Sequence, residues 1–231
     1  MSEFPRTEVE GVSLPRMLIG SNWILGYSHT STSADALIRD RHSTPEAISA
    51  VLEAYLSYGI DALMAPIVGN DLLLEGVKMA EDRTGKKITL ISTPIIDVSD
   101  TAEGRAAAEA SIKAAKAAGS TFCLIHHSSA EKLVSKLNHT MDRLPDYLYM
   151  IRENGMIPGL SAHMPELILF SDEQGYDVQT YVQIYNCMGF LMQVEIEYIH
   201  KVIWGAKKPV MTIKSMAAGR CSPFVGLTFS Y

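Results

Sequence analysis

Short apolar runs alternate with longer amphipathic runs along most of the chain. The short runs are rich in Val, Ile and Leu and are typical of buried β-strands. They predict seven strands, at residues 17–20, 61–67, 88–92, 121–126, 157–160, 181–185 and 210–213.

The longer runs have apolar residues three or four positions apart, which is the spacing of an amphipathic helix. Thr44 and Pro45 start one of them as N-cap and first helical residue, and Gly59 ends it. The predicted helices cover residues 44–58, 71–82, 101–118, 130–137, 144–153, 165–170 and 194–204.

Strands that alternate with helices indicate right-handed βαβ units and a parallel sheet. A doubly wound sheet would normally carry a glycine-rich turn after one strand, and the sequence contains neither GxGxxG nor a Walker A motif. The pattern therefore favours an α/β fold of the TIM type, a (β/α)8 barrel, as one domain over residues 1–231.

The pattern does not clearly predict the eighth strand that would close the barrel. Only 18 residues follow Ile213, which is short for a helix and a further strand. Residues 224–231 are either a short eighth strand or the seventh helix in a chain that is incomplete at its C-terminus. A partner chain is a third source of the missing strand. An open parallel edge favours pairing, so a homo-oligomer is expected.

The charge balance limits the possible partners. The formal net charge is -6 and the basic residues are scattered, which argues against nucleic-acid binding. Three cysteines without a CxxC pair fit a reducing compartment. The sequence shows neither a secretory leader nor an apolar run long enough to span a membrane, so we expect a cytoplasmic protein with a small-molecule substrate.

Polar side chains follow most of the predicted strands. Catalytic residues of a β/α barrel come from the carboxyl ends of its strands, so these positions are the candidates for a site. Four of the five histidines that we can place lie there. The candidates are Ser21, Asn22, Tyr27, His29, His126, His127, His163, Glu166, Asn186, Lys214 and Arg220.

The histidines allow two kinds of chemistry. His126, His163 and Glu166 could share a divalent metal, since imidazole and carboxylate together suit Zn, Mn or Fe. Alternatively, the two imidazoles serve as general acid and base without a metal. Lys214 and Asn186 would hold or polarise a substrate oxygen, and Lys214 could instead form a Schiff base.

The other candidates are expected to bind substrate. Ser21, Asn22 and His29 would lie at the mouth of the barrel. Tyr27 could stack on a ring, and Arg220 could bind a carboxylate or phosphate. Structural roles remain open for all of them: a buried imidazole with satisfied hydrogen bonds, an ion pair, or aromatic packing.

The order of the segments resembles that of the aldo-keto reductase superfamily. The similar segments are residues 12–16, 58–61, 124–126, 183–186 and 216–220. The resemblance implies a TIM barrel, and in that family an Asp, a Tyr, a Lys and a His assist hydride transfer from NADPH. His126 matches the catalytic histidine. Met64 stands at the Asp position, residues 67–70 offer no tyrosine, and residues 92–94 offer no lysine.

The chain therefore resembles a divergent branch of the superfamily that lacks the catalytic Asp, Tyr and Lys, and three hypotheses about its function follow. The first is an isomerase or lyase that acts on a small hydroxylated or carbonyl substrate by acid–base chemistry, with or without a divalent metal. The second is a divergent NADPH-dependent oxidoreductase with Tyr27 or His127 as proton donor. The third is a catalytically inactive barrel that binds a ligand or completes a complex.

Overall fold

A computed structural model describes residues 4–231 of the chain. Short strands and longer helices alternate through most of this range. The strands are β1 (Arg6–Val9), β2 (Val12–Pro15), β3 (Ile19–Gly20), β4 (Ala62–Ala65), β5 (Thr89–Ser92), β6 (Phe122–Ile125), β7 (Val134–Ser135), β8 (Thr140–Met141), β9 (Ile157–Ala162), β10 (Thr180–Ile184) and β11 (Val210–Ile213).

The helices lie mainly between successive strands. They are α1 (Asn22–Leu25), α2 (Thr32–Arg41), α3 (Pro45–Ser57), α4 (Asp71–Thr84), α5 (Ala102–Ala117), α6 (His127–Ala130), α7 (Leu144–Glu153), α8 (Glu166–Gln174), α9 (Ile196–Gly205) and α10 (Pro223–Ser230). Over residues 4–231, each helix is too short or too polar to cross a lipid bilayer.

Seven of the strands form one parallel sheet in the order β11-β10-β9-β6-β5-β4-β3. The order follows the chain, and helices connect the strands. This is the architecture of a TIM-type β/α barrel, and the predicted fold class is confirmed. Two antiparallel hairpins, β1–β2 and β7–β8, stand apart from the sheet.

The described residues fall into two compact units. The N-terminal unit runs to Pro94 and includes Ala114–Phe122, and the C-terminal unit comprises Ile95–Lys113 and Cys123–Tyr231. The expectation of a single domain stays a prediction.

The N-terminal unit has its core between its strands and the helices α3 and α4. Leu52 and Leu56 of α3, Leu73 of α4 and Leu63 of β4 are fully buried in one cluster. A fully buried leucine contributes about 1.5–3 kcal/mol relative to an exposed one. The predicted start of α3 is confirmed, because the Thr44 side chain accepts a hydrogen bond from the Ala47 amide.

The C-terminal unit places its strands close together. Val182 of β10 is in register with Ser161 of β9, and Ile184 is in register with Ile213 of β11. Gly159 permits this spacing, because a Cβ there would lie 2.7 Å from Leu124 Cγ and 2.8 Å from a backbone oxygen. The ends of these strands hold most of the candidate site residues.

The predicted helix at 130–137 is wrong. The chain makes a 3₁₀ turn at Glu131–Leu133 and then the hairpin β7–β8. Leu137 is 92% exposed, so the segment has no continuous apolar face to bury as a helix. His139 adopts a left-handed conformation with φ of 53° in the turn of the hairpin.

Two further segments are helical. Residues 224–230 belong to α10 and not to an eighth strand, because Ser222 caps the helix through the Val225 amide and Pro223 occupies its first turn. The polar helix α2 was not predicted, although Ser31 caps it through the Ala34 amide. Its low apolar content hides the helical period.

Candidate functional site

His126 lies immediately after β6, where it is the N-cap of the short helix α6. The Ser128 amide donates a hydrogen bond to His126 Nδ1 over 3.3 Å. Since Nδ1 accepts this hydrogen bond, the neutral ring carries its proton on Nε2. His126 can therefore donate a hydrogen bond from Nε2 to an oxygen atom of a ligand.

The surroundings keep His126 neutral. Burial, together with the smaller effects of the neighbouring His127 and Lys214, lowers the pKa of its imidazole to about 4. Burial also lowers the pKa of His127, with Glu131 acting against this shift and Lys214 adding to it. Both shifts favour the neutral form of the imidazole.

His127, His163 and Glu131 form a compact group beside His126. The rings of His127 and His163 are stacked, with centroids 3.7 Å apart and planes inclined by 21°. The ring of His126 is tilted against that of His127 at 4.2 Å. Glu131 Oε2 lies 4.0 Å from His127 Nδ1. We call His127, Glu131 and His163 the His–Glu–His cluster.

Glu131 is held in place by the backbone that follows β9. Its Oε1 accepts hydrogen bonds from the His163 amide at 2.8 Å and the Met164 amide at 3.0 Å. The His163 carbonyl in turn accepts a hydrogen bond from Gln183 Nε2. Because Oε1 is engaged in this way, Oε2 is the oxygen that faces His127.

Lys214 follows β11 in a strained segment. Lys214, Ala217 and Ala218 all have left-handed φ angles, of 62°, 49° and 56°. Such a conformation is costly for residues other than glycine and is concentrated at functional sites. Burial lowers the pKa of the Lys214 ammonium. Its charge acts on both His126 and His127.

Two other candidates of this unit make contacts in the loops after β10 and β11. Asn186 is fully buried, and its side chain accepts hydrogen bonds from the Met188 and Phe190 amides. Arg220 lies over the Phe190 ring at 4.0 Å and donates to the Ala217 carbonyl. These contacts stabilise the loops after β10 and β11.

Glu166 lies at the start of α8, where Lys136 Nζ approaches its carboxylate to 2.6 Å. The residues brought within 4.8 Å of one another through their ligand atoms are His127, Glu131 and His163. The metal set predicted from sequence, His126, His163 and Glu166, shares only His163 with this group.

The remaining candidates belong to the N-terminal unit. Ser21 is buried and precedes α1, whereas Tyr27 is 51% exposed. Asn22 Nδ2 lies 3.3 Å from His29 Nε2, and both residues are exposed. Their role in substrate binding stays a prediction.

Sequence reasoning missed Glu131. The signal was present in the spacing, because His127 and Glu131 are four residues apart, as on one face of a helix. The predicted helix begins at residue 130, so His127 lies outside it and the sequence pattern does not pair it with Glu131. Ser128 and Ser129 are poor helix formers, which explains why α6 was overlooked.

Comparisons with known proteins bear on the fold. A scan with protein-family models and a search of curated proteins both find no match. Solved structures do match. A provisionally assigned aldo-keto reductase from Pseudomonas aeruginosa is 14% identical with a TM-score of 0.62, covering 93% of this chain and 79% of its own. A second structure of such a protein from the same organism has the same TM-score and identity, with 80% of its own chain covered.

An aldo-keto reductase from Klebsiella pneumoniae in complex with NADP and acetate is also similar. It is 16% identical with a TM-score of 0.55, and the match covers 93% of this chain and 69% of that one. The chain is therefore a TIM-type barrel. Within that class, its fold is similar to that of these aldo-keto reductase structures.

The structure shows the surroundings of the residues at the positions where the family has its Asp and its Lys. Met64 is a half-buried residue of β4, and Ser92 is buried at the end of β5. Ser92 Oγ has no hydrogen-bond partner among the described residues. The likeness to solved structures concerns the fold, and the match of His126 to the family's catalytic histidine stays a prediction from the sequence.

Proposed function

We propose that the protein is a divergent NADPH-dependent oxidoreductase that reduces a small carbonyl compound. The observation that carries this proposal is His126, a neutral imidazole at the end of β6 with its proton on Nε2. The likeness to aldo-keto reductase structures, one of them with NADP, favours this reaction over an isomerase or lyase.

His126 would act as the group that polarises the carbonyl. A hydrogen bond from Nε2 to the substrate oxygen stabilises the negative charge that develops on it. A neutral imidazole suits this role because it keeps a hydrogen-bond donor on Nε2 without carrying a positive charge that burial would oppose.

Lys214 would supply charge and the proton. Burial lowers the pKa of its ammonium, which makes the group a stronger acid than a solvated lysine. We assign to Lys214 Nζ the proton that the product alkoxide needs, a task that falls to other residues in the family. The ammonium also stabilises the oxyanion before the proton moves.

The cationic side chains after β11 are the groups that would bind the phosphates of NADPH. Lys214 and Arg220 follow the same strand, and a guanidinium binds phosphate oxygens in bidentate fashion. Arg220 uses its Nη1 on a backbone carbonyl, and its other donors remain for a phosphate. NADPH would supply the hydride. The residues at the positions of the family's Asp, Tyr and Lys could not donate a proton to the substrate oxygen in that way.

The experiment is a fluorescence titration of NADPH with the purified protein, followed by reduction assays with small aldehydes and hydroxyketones.

His126→Asn keeps an acceptor for the Ser128 amide but removes the Nε2 donor. We expect it to lower kcat/KM roughly 100-fold with unchanged NADPH affinity. His139→Asn, at an exposed histidine that contacts Glu173, is the matched control. The absence of quenching at high micromolar NADPH would end the proposal.

A second candidate function is acid–base isomerisation or elimination on a small hydroxylated or carbonyl substrate. The stacked His127 and His163 beside His126 favour it, because adjacent imidazoles can exchange protons with a substrate carbon. Incubation with ketoses and hydroxy acids in D₂O without NADPH tests it by NMR. Deuterium on carbon, lost in His163→Asn, would support this function, and unlabelled substrates throughout would exclude it for the compounds tried.

A further inference from the structure

The His–Glu–His cluster has the composition of a metal site. Two imidazoles and one carboxylate are ligands that bind Zn²⁺, Mn²⁺ and Fe²⁺. One potential ligand atom from each of the three side chains lies within 4.8 Å of the others. All three side chains are half-buried and belong to the C-terminal unit.

Glu131 is already oriented as a ligand. Metal-binding carboxylates are usually fixed by hydrogen bonds from neighbouring groups. Here two backbone amides, of His163 and Met164, hold Oε1. Oε2 therefore keeps its position near His127, and orienting this oxygen would cost little entropy when an ion binds.

The three residues are also linked through the fold. His127 and Glu131 are one helical turn apart, and His163 comes from the end of β9, the strand next to β6. The amide of His163 binds Glu131, while its ring stacks on His127. Each member of the cluster is thus positioned by another member.

We propose that His127, Glu131 and His163 bind a divalent transition-metal ion, with Zn²⁺ as the best probe. Three protein ligands leave at least one position for water or substrate, as in catalytic zinc sites. The proposal does not depend on the carbonyl reduction proposed above. It also differs from the set expected from sequence, because His127 replaces His126 and Glu131 replaces Glu166.

Binding requires a local adjustment. Ligand atoms in a tetrahedral zinc site are roughly 3.3 Å apart. In the cluster, the potential ligand atoms are separated by up to 4.8 Å. The stacked rings must turn so that a nitrogen of each points at one ion. The nearby charge of Lys214 opposes the ion, so we expect micromolar rather than nanomolar affinity.

The test uses protein purified without a histidine tag and stripped with a chelator. Calorimetric titration with Zn²⁺ should give one site, and Co²⁺ should give the visible absorption of a protein-bound ion. His127→Asn and His163→Asn should each weaken Zn²⁺ binding roughly 100-fold. Circular dichroism and thermal unfolding report whether each variant folds. The Zn²⁺ affinity of either variant that folds tests the proposed site.

His139→Asn is the matched control. His139 Nδ1 lies 3.4 Å from Glu173 Oε2, which makes this pair a second histidine–glutamate contact in the same unit. Its loss should leave Zn²⁺ affinity unchanged. The proposal is overturned if the wild-type protein binds no Zn²⁺ at high micromolar concentration. Equal weakening by His139→Asn and His163→Asn would overturn it too.

Discussion

Two histidine–glutamate pairs of the C-terminal unit show what separates a candidate site from a surface contact. His139 and Glu173 are the closer pair, at 3.4 Å, but their side chains are 59% and 55% exposed. His127 and Glu131 are 4.0 Å apart and are 28% and 19% exposed. Proximity alone therefore does not identify the site.

The difference lies in what surrounds each pair. Glu131 is fixed by two backbone amides, and its histidine stacks on another imidazole. His139 stacks on Phe170, at 4.9 Å, which offers no second ligand or proton acceptor. Burial and fixed partners make the first pair a candidate for chemistry, whereas solvent screens the second pair.

The largest expected effect concerns stability. Glu131→Ala removes a carboxylate that satisfies two backbone amides, so both would lose their partner in a half-buried place. Unsatisfied groups of this kind cost about 1–3 kcal/mol each. We expect a loss of about 3 kcal/mol in the free energy of unfolding, measured by urea denaturation at neutral pH.

Glu173→Ala is the comparison for that measurement. An exposed contact of this kind contributes at most about 0.2–1 kcal/mol even when both groups are charged, so this variant should be nearly as stable as the wild type. Equal losses in the two variants would show that the amide contacts of Glu131 add nothing to the fold.

The next effect is a pH dependence of stability. The folded-state pKa of His126 is lowered to about 4, below the ordinary value of about 6.5 that the unfolded chain has. Between these two values the unfolded state binds more protons, so stability falls as pH falls. We expect a loss of roughly 2 kcal/mol between pH 6.5 and 4 in metal-free protein, after allowing for partial exposure.

His126→Asn should flatten that dependence. Asparagine does not titrate, and it can still accept the hydrogen bond of the Ser128 amide as a helix N-cap. The carboxylates contribute to acid unfolding in both proteins, so the informative quantity is the difference between the two curves. Parallel curves from pH 6.5 to 4 would contradict the buried, neutral state of His126.

The sequence predicted the sheet better than it predicted the cluster. Strand and helix periods, together with caps such as Thr44, were sufficient for the seven strands and for α3 and α4. His126, His163 and Lys214 were recognised as strand-end residues. The pairing of His127 with Glu131 was not, because it depends on a short helix formed by residues of low helix propensity. Tertiary contacts with the backbone after β9 fix that segment, and they cannot be seen in local patterns.

The smallest effect tests whether the charge of Lys214 reaches the cluster. That charge lowers the pKa of His126 and of His127, although burial is the larger cause for each. Lys214→Met removes the charge and keeps an unbranched side chain at a position with left-handed φ. The pKa of both imidazoles should rise, as measured by NMR titration of their ring protons in metal-free protein. If the titration of His126 is unchanged while the variant stays folded, Lys214 is too distant to act on a bound oxyanion, and the proton for the proposed reduction must come from another residue.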